Sequence, residues 1–96
     1  MAALNKDEIR LRLEKTEGWS HQGKALHKKY TFKSFPAGIQ FVNKIAEAAE
    51  SAGHHPDITI NYNAVSISLA THSEGGVTDK DFDMAGTIDQ IRRTVS

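Results

Sequence analysis

Two adjacent histidines, His54 and His55, lie between Gly53 and Pro56, where a helical pattern ends and a strand pattern begins. Imidazole has an unperturbed pKa of about 6.5, so it can both donate and accept protons near neutral pH. A third histidine, His72, follows the next strand pattern. If the two strands pair as a hairpin, the three side chains converge at its open end. The sequence therefore predicts a cluster capable of acid–base catalysis.

Two alternatives use the same histidines. Three imidazoles and a water form an open zinc site, but neighbouring side chains in extended backbone point to opposite sides, whereas zinc ligands usually share one side. We therefore expect no metal at this cluster. The second alternative is a solvated loop end whose histidines bind only backbone groups. The remaining histidines, His21 and His27, lie in strand patterns and are expected to face solvent.

Two acids accompany the cluster. Asp81 occupies the third position of a helix that is predicted to begin after Thr78, where a carboxylate stabilises the helix even without a ligand. Its functional interpretation is charge support for a neighbouring histidine. Glu50 lies in the last turn of the preceding helix, where an acid is mildly unfavourable. Tyr62, in a predicted turn, is open to either a structural or a functional interpretation.

Three helical patterns position these residues. The first begins after Asn5 and is predicted to run to about Thr16. The second begins after Ser34 and ends at Gly53, and the third begins after Thr78. Both Asn5 and Thr78 are followed three residues later by an acid, as in a capping box. Apolar residues recur at helical spacing in the second helix (Ile39, Val42, Ile45, Ala46, Ala49) and in the third (Phe82, Ala85, Ile88, Ile91, Val95).

Four strand patterns are predicted to form two hairpins, the first from residues 18–21 and 25–32, the second from residues 57–61 and 64–71. A two-residue turn at Tyr62-Asn63, with the asparagine at positive φ, fixes the register of the second hairpin. That register pairs Ile60 with Val65, Ile58 with Ile67 and Pro56 with Leu69. The order αββαββα predicts an α+β fold, with a four-stranded antiparallel sheet and three helices packed on one face.

Composition narrows the functional classes. The chain has 96 residues, which we expect to form one domain spanning residues 1–96. Twelve basic and twelve acidic side chains give a formal net charge of zero, so direct nucleic-acid binding is disfavoured. There is no cysteine, which excludes disulfides and thiolate chemistry. Without a signal peptide or a long apolar run, we expect a cytoplasmic protein with no membrane contact.

The spacing of the chemical residues resembles the signature of one known family. In this sequence the pattern is Glu50, three residues, His54-His55-Pro56, five residues, Tyr62, nine residues, His72, eight residues, Asp81. It resembles the signature of the pterin-4a-carbinolamine dehydratases. The resemblance covers most of the chain, because other family features also match: Gly18-Trp19, Tyr62-Asn63, Thr71-His72 and the closing helix.

The resemblance implies dehydration of 4a-hydroxytetrahydrobiopterin to the quinonoid dihydropterin, with no metal or organic cofactor because the pterin is the substrate. It implies that His54 and His72 move protons, that His55 mainly binds the pterin, and that Asp81 supports catalysis. The substrate-binding residues that it implies are Glu50, His54, His55, Pro56, Thr71, His72, Ser73 and Glu74.

The resemblance also implies partners. These are a homodimer or homotetramer and a functional link to an aromatic amino acid hydroxylase, whose turnover the dehydratase follows during tetrahydrobiopterin recycling. Two alternatives stay open. One is a pterin-binding or protein-dimerisation and coactivator module without significant catalysis. The other is a dehydratase for a different pterin, for example one of molybdenum-cofactor metabolism.

Overall fold

The predicted order of elements, αββαββα, is confirmed in a computed structural model that describes residues 2–95. Met1 and Ser96, the ends of the predicted domain, lie outside the described residues. The elements are α1 (Lys6–Leu13), β1 (Ser20–Gln22), β2 (Ala25–Thr31), α2 (Phe35–Ala52), β3 (Asp57–Asn61), β4 (Ala64–Leu69) and α3 (Asp79–Arg92). A short 3-10 helix, His72–Glu74, lies between β4 and α3. Within residues 2–95, no helix has the length and apolar character needed to cross a membrane.

The four strands form one antiparallel sheet in the order β1-β2-β4-β3. The predicted register of the second hairpin is confirmed, since Ile60 lies opposite Val65 and Ile58 opposite Ile67. The β3–β4 ladder ends with Asp57 opposite Ser68, so the predicted pairing of Pro56 with Leu69 does not form. A proline at the start of a strand has no N–H to donate to such a ladder.

The turn of the second hairpin differs from the prediction in one respect. Tyr62, and not Asn63, has the positive φ, at 55°. Asn63 has a different function, because its side-chain Nδ2 donates to the carbonyl of Phe32 at 2.8 Å and its own carbonyl accepts from the Phe32 N–H at 2.9 Å. These two bonds connect the turn to the end of β2. They join residues far apart along the chain, so the local sequence does not predict them.

The first helix is shorter than predicted, ending at Leu13 rather than near Thr16. The N–H groups of Lys15 and Thr16 bond to carbonyls three residues earlier, and the Thr16 hydroxyl donates to the Arg12 carbonyl at 2.8 Å. This tighter turn uses the last helical carbonyls and brings the chain to Gly18, whose φ of 87° favours glycine.

The core lies between the sheet and the helices. One face of the sheet is buried, and its central side chains are Leu26, Tyr30, Val65, Ile67 and Leu69. The opposite face carries exposed residues such as Lys29, Thr59 and Ser66, so the helices cover one face, as predicted. The predicted apolar faces of α2 and α3 need correction. Phe41 and Met84 are buried although they were not predicted to belong to these faces, and Ala46 is exposed although it was. Helix periodicity identifies a face only to within about a residue.

Candidate active site

The two adjacent histidines follow the end of α2, and their side chains have different surroundings. Gly53 adopts a left-handed conformation with φ of 65°, and the N–H of His54 donates to the Ala49 carbonyl at 3.1 Å. This left-handed C-cap ends the helix and turns the chain towards β3. His54 then points inward, with a side chain that is 13% exposed, whereas that of His55 is 61% exposed.

His54 contacts a buried carboxylate. Its Nε2 lies 2.6 Å from Oδ1 of Asp81, whose side chain has no solvent exposure. Oδ2 of Asp81 accepts the N–H of Thr78 at 2.9 Å and the hydroxyl of Thr71 at 2.9 Å. The predicted capping position of Asp81 is confirmed, and the same carboxylate that caps α3 also contacts the imidazole of His54.

His55 forms a second pair with a carboxylate, on the surface. Its Nε2 lies 2.6 Å from Oε1 of Glu50, which is in the last turn of α2. The side chain of Glu50 is 80% exposed. Because solvent screens this pair, it holds the ring less firmly than Asp81 holds His54. Because the His55–Glu50 pair is exposed, both of its side chains can contact a bound molecule.

His72 lies in the exposed 3-10 helix that follows β4. Thr71 anchors this segment by a short antiparallel bridge to Gly76, with the Thr71 N–H donating to the Gly76 carbonyl at 2.9 Å. Gly75 ends the short helix with a left-handed φ of 71°. His72 lines a cleft of about 410 Å³, together with Lys24, Ala25, Asp57, Ser68, Ala70, Gly75 and Gly76.

A short series of contacts connects His54 to the segment of His72, because Asp81 bonds both to His54 and to Thr71, the residue before His72. His54 lines a cleft of about 220 Å³, formed with Ala52, Lys80, Asp83, Met84 and Thr87. The ladder ends at Asp57, so the strand register does not extend to the histidines. Within residues 2–95, no three histidine, aspartate or glutamate side chains are grouped so that they could hold a metal ion.

The other predicted site residues occupy varied positions. Pro56 is partly buried, and Ser73 and Glu74 are exposed beside His72. Thr71 is only 6% exposed, and its hydroxyl points to Asp81 rather than to a cleft. Tyr62, which is 68% exposed, lies at the closed end of the hairpin, opposite the end that carries the histidines.

Sequence reasoning missed part of the surroundings of His54. Thr78 was predicted only as a helix cap, yet its hydroxyl lies 2.7 Å from that of Thr71. Lys80, Met84 and Thr87 of α3 line the His54 cleft. Their spacing of four and three residues places them on one side of the helix, a signal that was present in the sequence.

Comparison with known proteins identifies the family. The family model for pterin 4 alpha carbinolamine dehydratase matches residues 2–91. The chain belongs to the pterin-4a-carbinolamine dehydratase family. A protein of Nostoc punctiforme assigned the name pterin-4-alpha-carbinolamine dehydratase is 53% identical over 89 residues, which cover 93% of this chain and 96% of that protein. The predicted family and enzyme class, a hydro-lyase, are thereby confirmed.

Two solved structures extend the comparison. A crystal structure described as a transcriptional coactivator/pterin dehydratase from Brucella melitensis matches with a TM-score of 0.91 and 35% identity, covering 94% of this chain and 98% of that one. A pterin dehydratase-like protein described as a RuBisCO assembly factor in the alpha-carboxysome has a TM-score of 0.64 at 23% identity, covering 77% of this chain and 86% of that one. The first likeness confirms the predicted fold class. The second shows only that the fold is shared.

Proposed function

We propose that this chain catalyses the dehydration of 4a-hydroxytetrahydrobiopterin to the quinonoid dihydropterin and water. In this reaction the C4a–O bond breaks, a double bond forms between C4a and N5, the proton on N5 leaves, and the departing hydroxyl gains a proton. The reaction therefore needs one acid and one base. The observation that carries the proposal is the imidazole of His54, held at 2.6 Å by the buried carboxylate of Asp81 in a chain of this family.

The site residues receive distinct roles in this proposal. His54 and His72 transfer the two protons, and Asp81 fixes the ring of His54. His55 binds the pterin, and its exposed partner Glu50 assists. Pro56, Ser73 and Glu74 line the pocket, and Thr71 holds the start of the segment that carries His72.

The proposal includes no metal or organic cofactor, because His54 and His72 supply the acid and the base that the reaction needs and no electrons are transferred. We place the enzyme in the cytoplasm, where it follows an aromatic amino acid hydroxylase that releases the 4a-hydroxypterin. In this position it returns pterin to the tetrahydrobiopterin cycle. The absence of cysteine from the chain is compatible with a reducing compartment.

We also propose that the chain forms a homodimer or homotetramer. Strand β3 is at the edge of the sheet, and Ile60 on this strand is 39% exposed. An edge strand with exposed apolar side chains favours pairing with another chain. Light scattering coupled to size-exclusion chromatography would measure the mass, and a monomer at micromolar concentration would contradict this part of the proposal.

A second candidate function is a partner-binding module without significant catalysis. It is favoured by one observation, the description of the Brucella melitensis protein as both a transcriptional coactivator and a pterin dehydratase. The neutral net charge of this chain offers no general attraction to nucleic acid, so any transcriptional role would act through protein contacts.

The deciding experiment is stopped-flow decay of enzymatically generated 4a-hydroxytetrahydrobiopterin. Wild type would be compared with His54→Ala and His72→Ala, each with and without a chelator. His21→Ala is the matched control, because His21 lies on β1 and has no assigned role. We expect each active-site variant to lose about a hundredfold to ten-thousandfold in rate, with no effect of the chelator.

Other outcomes would contradict the proposal in distinguishable ways. A folded wild-type protein that does not accelerate the decay would favour the partner-binding function. Full activity in both histidine variants would exclude acid–base catalysis by these imidazoles. Loss of activity with the chelator would show that a metal takes part.

A further inference from the structure

We propose that the hydroxyls of Thr71 and Thr78 form a directed hydrogen-bond chain that fixes Asp81 as an acceptor and holds neutral His54 as the Nε2–H tautomer, presenting Nδ1 as its proton-accepting atom. The catalytic part of this inference rests on the proposed function. Thr71 and Thr78 are positioning residues here, because they act through Asp81.

The direction of the chain follows from counting protons. A backbone N–H can only donate, and the N–H of Thr78 lies 2.9 Å from Oδ2 of Asp81, so Asp81 is an acceptor at this oxygen. The carboxylate then only accepts, and the Thr71 hydroxyl, 2.9 Å from Oδ2, must donate its single proton to it. The Thr71 oxygen can therefore only accept from the Thr78 hydroxyl at 2.7 Å.

The far end of the chain agrees with this direction. The hydroxyl oxygen of Thr78 accepts the N–H of Lys80 at 3.2 Å, which leaves the Thr78 proton free to point at Thr71. Thr78 and Asp81 have no solvent exposure and Thr71 has 6%, so water cannot easily replace these bonds. Aligned hydrogen bonds in such surroundings strengthen one another.

The consequence for His54 concerns its two ring nitrogens. Asp81 receives the Thr78 N–H and the Thr71 hydroxyl on Oδ2, and its other oxygen, Oδ1, faces Nε2 of His54 at 2.6 Å. An accepting carboxylate there requires a proton on Nε2. In the neutral ring Nδ1 then carries the lone pair. A base at this site must therefore act through Nδ1.

The experiment measures the tautomer directly. Nitrogen-15 NMR of the histidine ring nitrogens, followed until His54 is neutral, distinguishes protonated from bare nitrogen in the protein without ligand. In wild type we expect the proton on Nε2. Thr71→Val, which removes the hydroxyl at nearly constant volume, is expected to give a mixture of tautomers and to lower kcat about tenfold with little change in KM.

Two further variants separate positioning from general stability. Thr71→Ser keeps the hydroxyl and is expected to restore both the tautomer and kcat. Thr59→Val is the matched control, because Thr59 is exposed on β3 and belongs to no part of the chain of hydroxyls. Thr59→Val is expected to match wild type in both measurements.

Several results would overturn the inference. One is a wild-type His54 ring with its proton on Nδ1, a measurement that needs no variant and so decides even if Thr71→Val folds poorly. Another is a folded Thr71→Val protein with wild-type tautomer and kcat. An inactive wild type that carries the proton on Nε2 would contradict the proposed function while supporting the hydrogen-bond chain.

Discussion

The two histidine–carboxylate pairs have the same length and opposite surroundings. His54 lies 2.6 Å from Asp81, and His55 lies 2.6 Å from Glu50. The first pair is nearly removed from solvent and its carboxylate has two further donors, whereas the second pair is exposed on both sides. Only Gly53 and the end of α2 separate Glu50 from the two rings along the chain.

This difference shows that distance alone does not define the role of an ion pair. An exposed pair is screened by water and salt and must order two mobile side chains, so it contributes little to stability. A buried carboxylate with several donors is costly to form but rigid, and removal of its charge leaves those donors without their partner. This difference supports the proposed roles, in which Asp81 positions His54 and Glu50 contacts the substrate.

Among the variants that test this comparison, Asp81→Asn is expected to have the largest effect. The amide keeps the shape but loses the charge, and its NH₂ group cannot accept the bonds that the carboxylate accepts. We expect kcat to fall by at least about tenfold, and the free energy of unfolding to fall by on the order of 2 kcal/mol. Stopped-flow assays and urea denaturation would measure both. A variant with wild-type kcat would remove the distinction between the two pairs.

A smaller effect is expected for His55→Ala. Because this exposed ring is proposed to bind the pterin, its loss should raise KM and leave kcat within about threefold of wild type. Steady-state rates over a range of pterin concentrations would separate the two parameters. If kcat fell as far as in His54→Ala, the two histidines would share the chemistry and the comparison would fail.

A further test uses a carboxylate, Asp89, that has several hydrogen-bond donors but no role in the proposed reaction. Asp89 accepts hydrogen bonds from Trp19 at 3.1 Å, Lys28 at 2.8 Å and Tyr30 at 2.5 Å. Burial, followed by the hydrogen bond to Asp89, raises the pKa of Tyr30 above its ordinary value. In the unfolded chain the hydroxyl ionises at about pH 10, so the stability it contributes is present below that pH and is lost as pH rises above it.

Tyr30→Phe is therefore expected to keep wild-type kcat and to lose about 1 kcal/mol of unfolding free energy at neutral pH. Its stability should also fall less steeply than that of wild type above about pH 10. Denaturation at a series of alkaline pH values would measure the slopes. Parallel slopes for the two proteins would contradict the pKa assignment, and a loss of kcat would show that burial alone affects catalysis.

The smallest effect is expected for Glu50→Gln. Because the pair with His55 is exposed, the free energy of unfolding should change by about 0.5 kcal/mol or less. Added salt should diminish even this difference, since it screens exposed charges. Urea denaturation at low and high salt would test this. A loss as large as that of Asp81→Asn would mean that exposure does not separate the two pairs.

Much of the fold could be predicted because its signals are local. The caps at Asn5, Ser34 and Thr78, and the register of the β3–β4 hairpin, depend on residues a few positions apart, and all are present. Two local details were predicted wrongly: α1 ends earlier than predicted, and the positive φ of the hairpin turn is at Tyr62 and not at Asn63. In both places contacts with side chains or distant backbone override the local preference.

The sequence by itself determined the residue types of the site, the capping role of Asp81 and the order of the elements, because helix caps, strand alternation and the family signature can all be recognised along the chain. Only the tertiary structure decided which histidine meets Asp81, and that the hydroxyl of Thr71 points to Asp81. The pair of His54 and Asp81 joins residues 27 positions apart. Such contacts depend on how α2, β4 and α3 pack together, and local periodicity does not encode that packing.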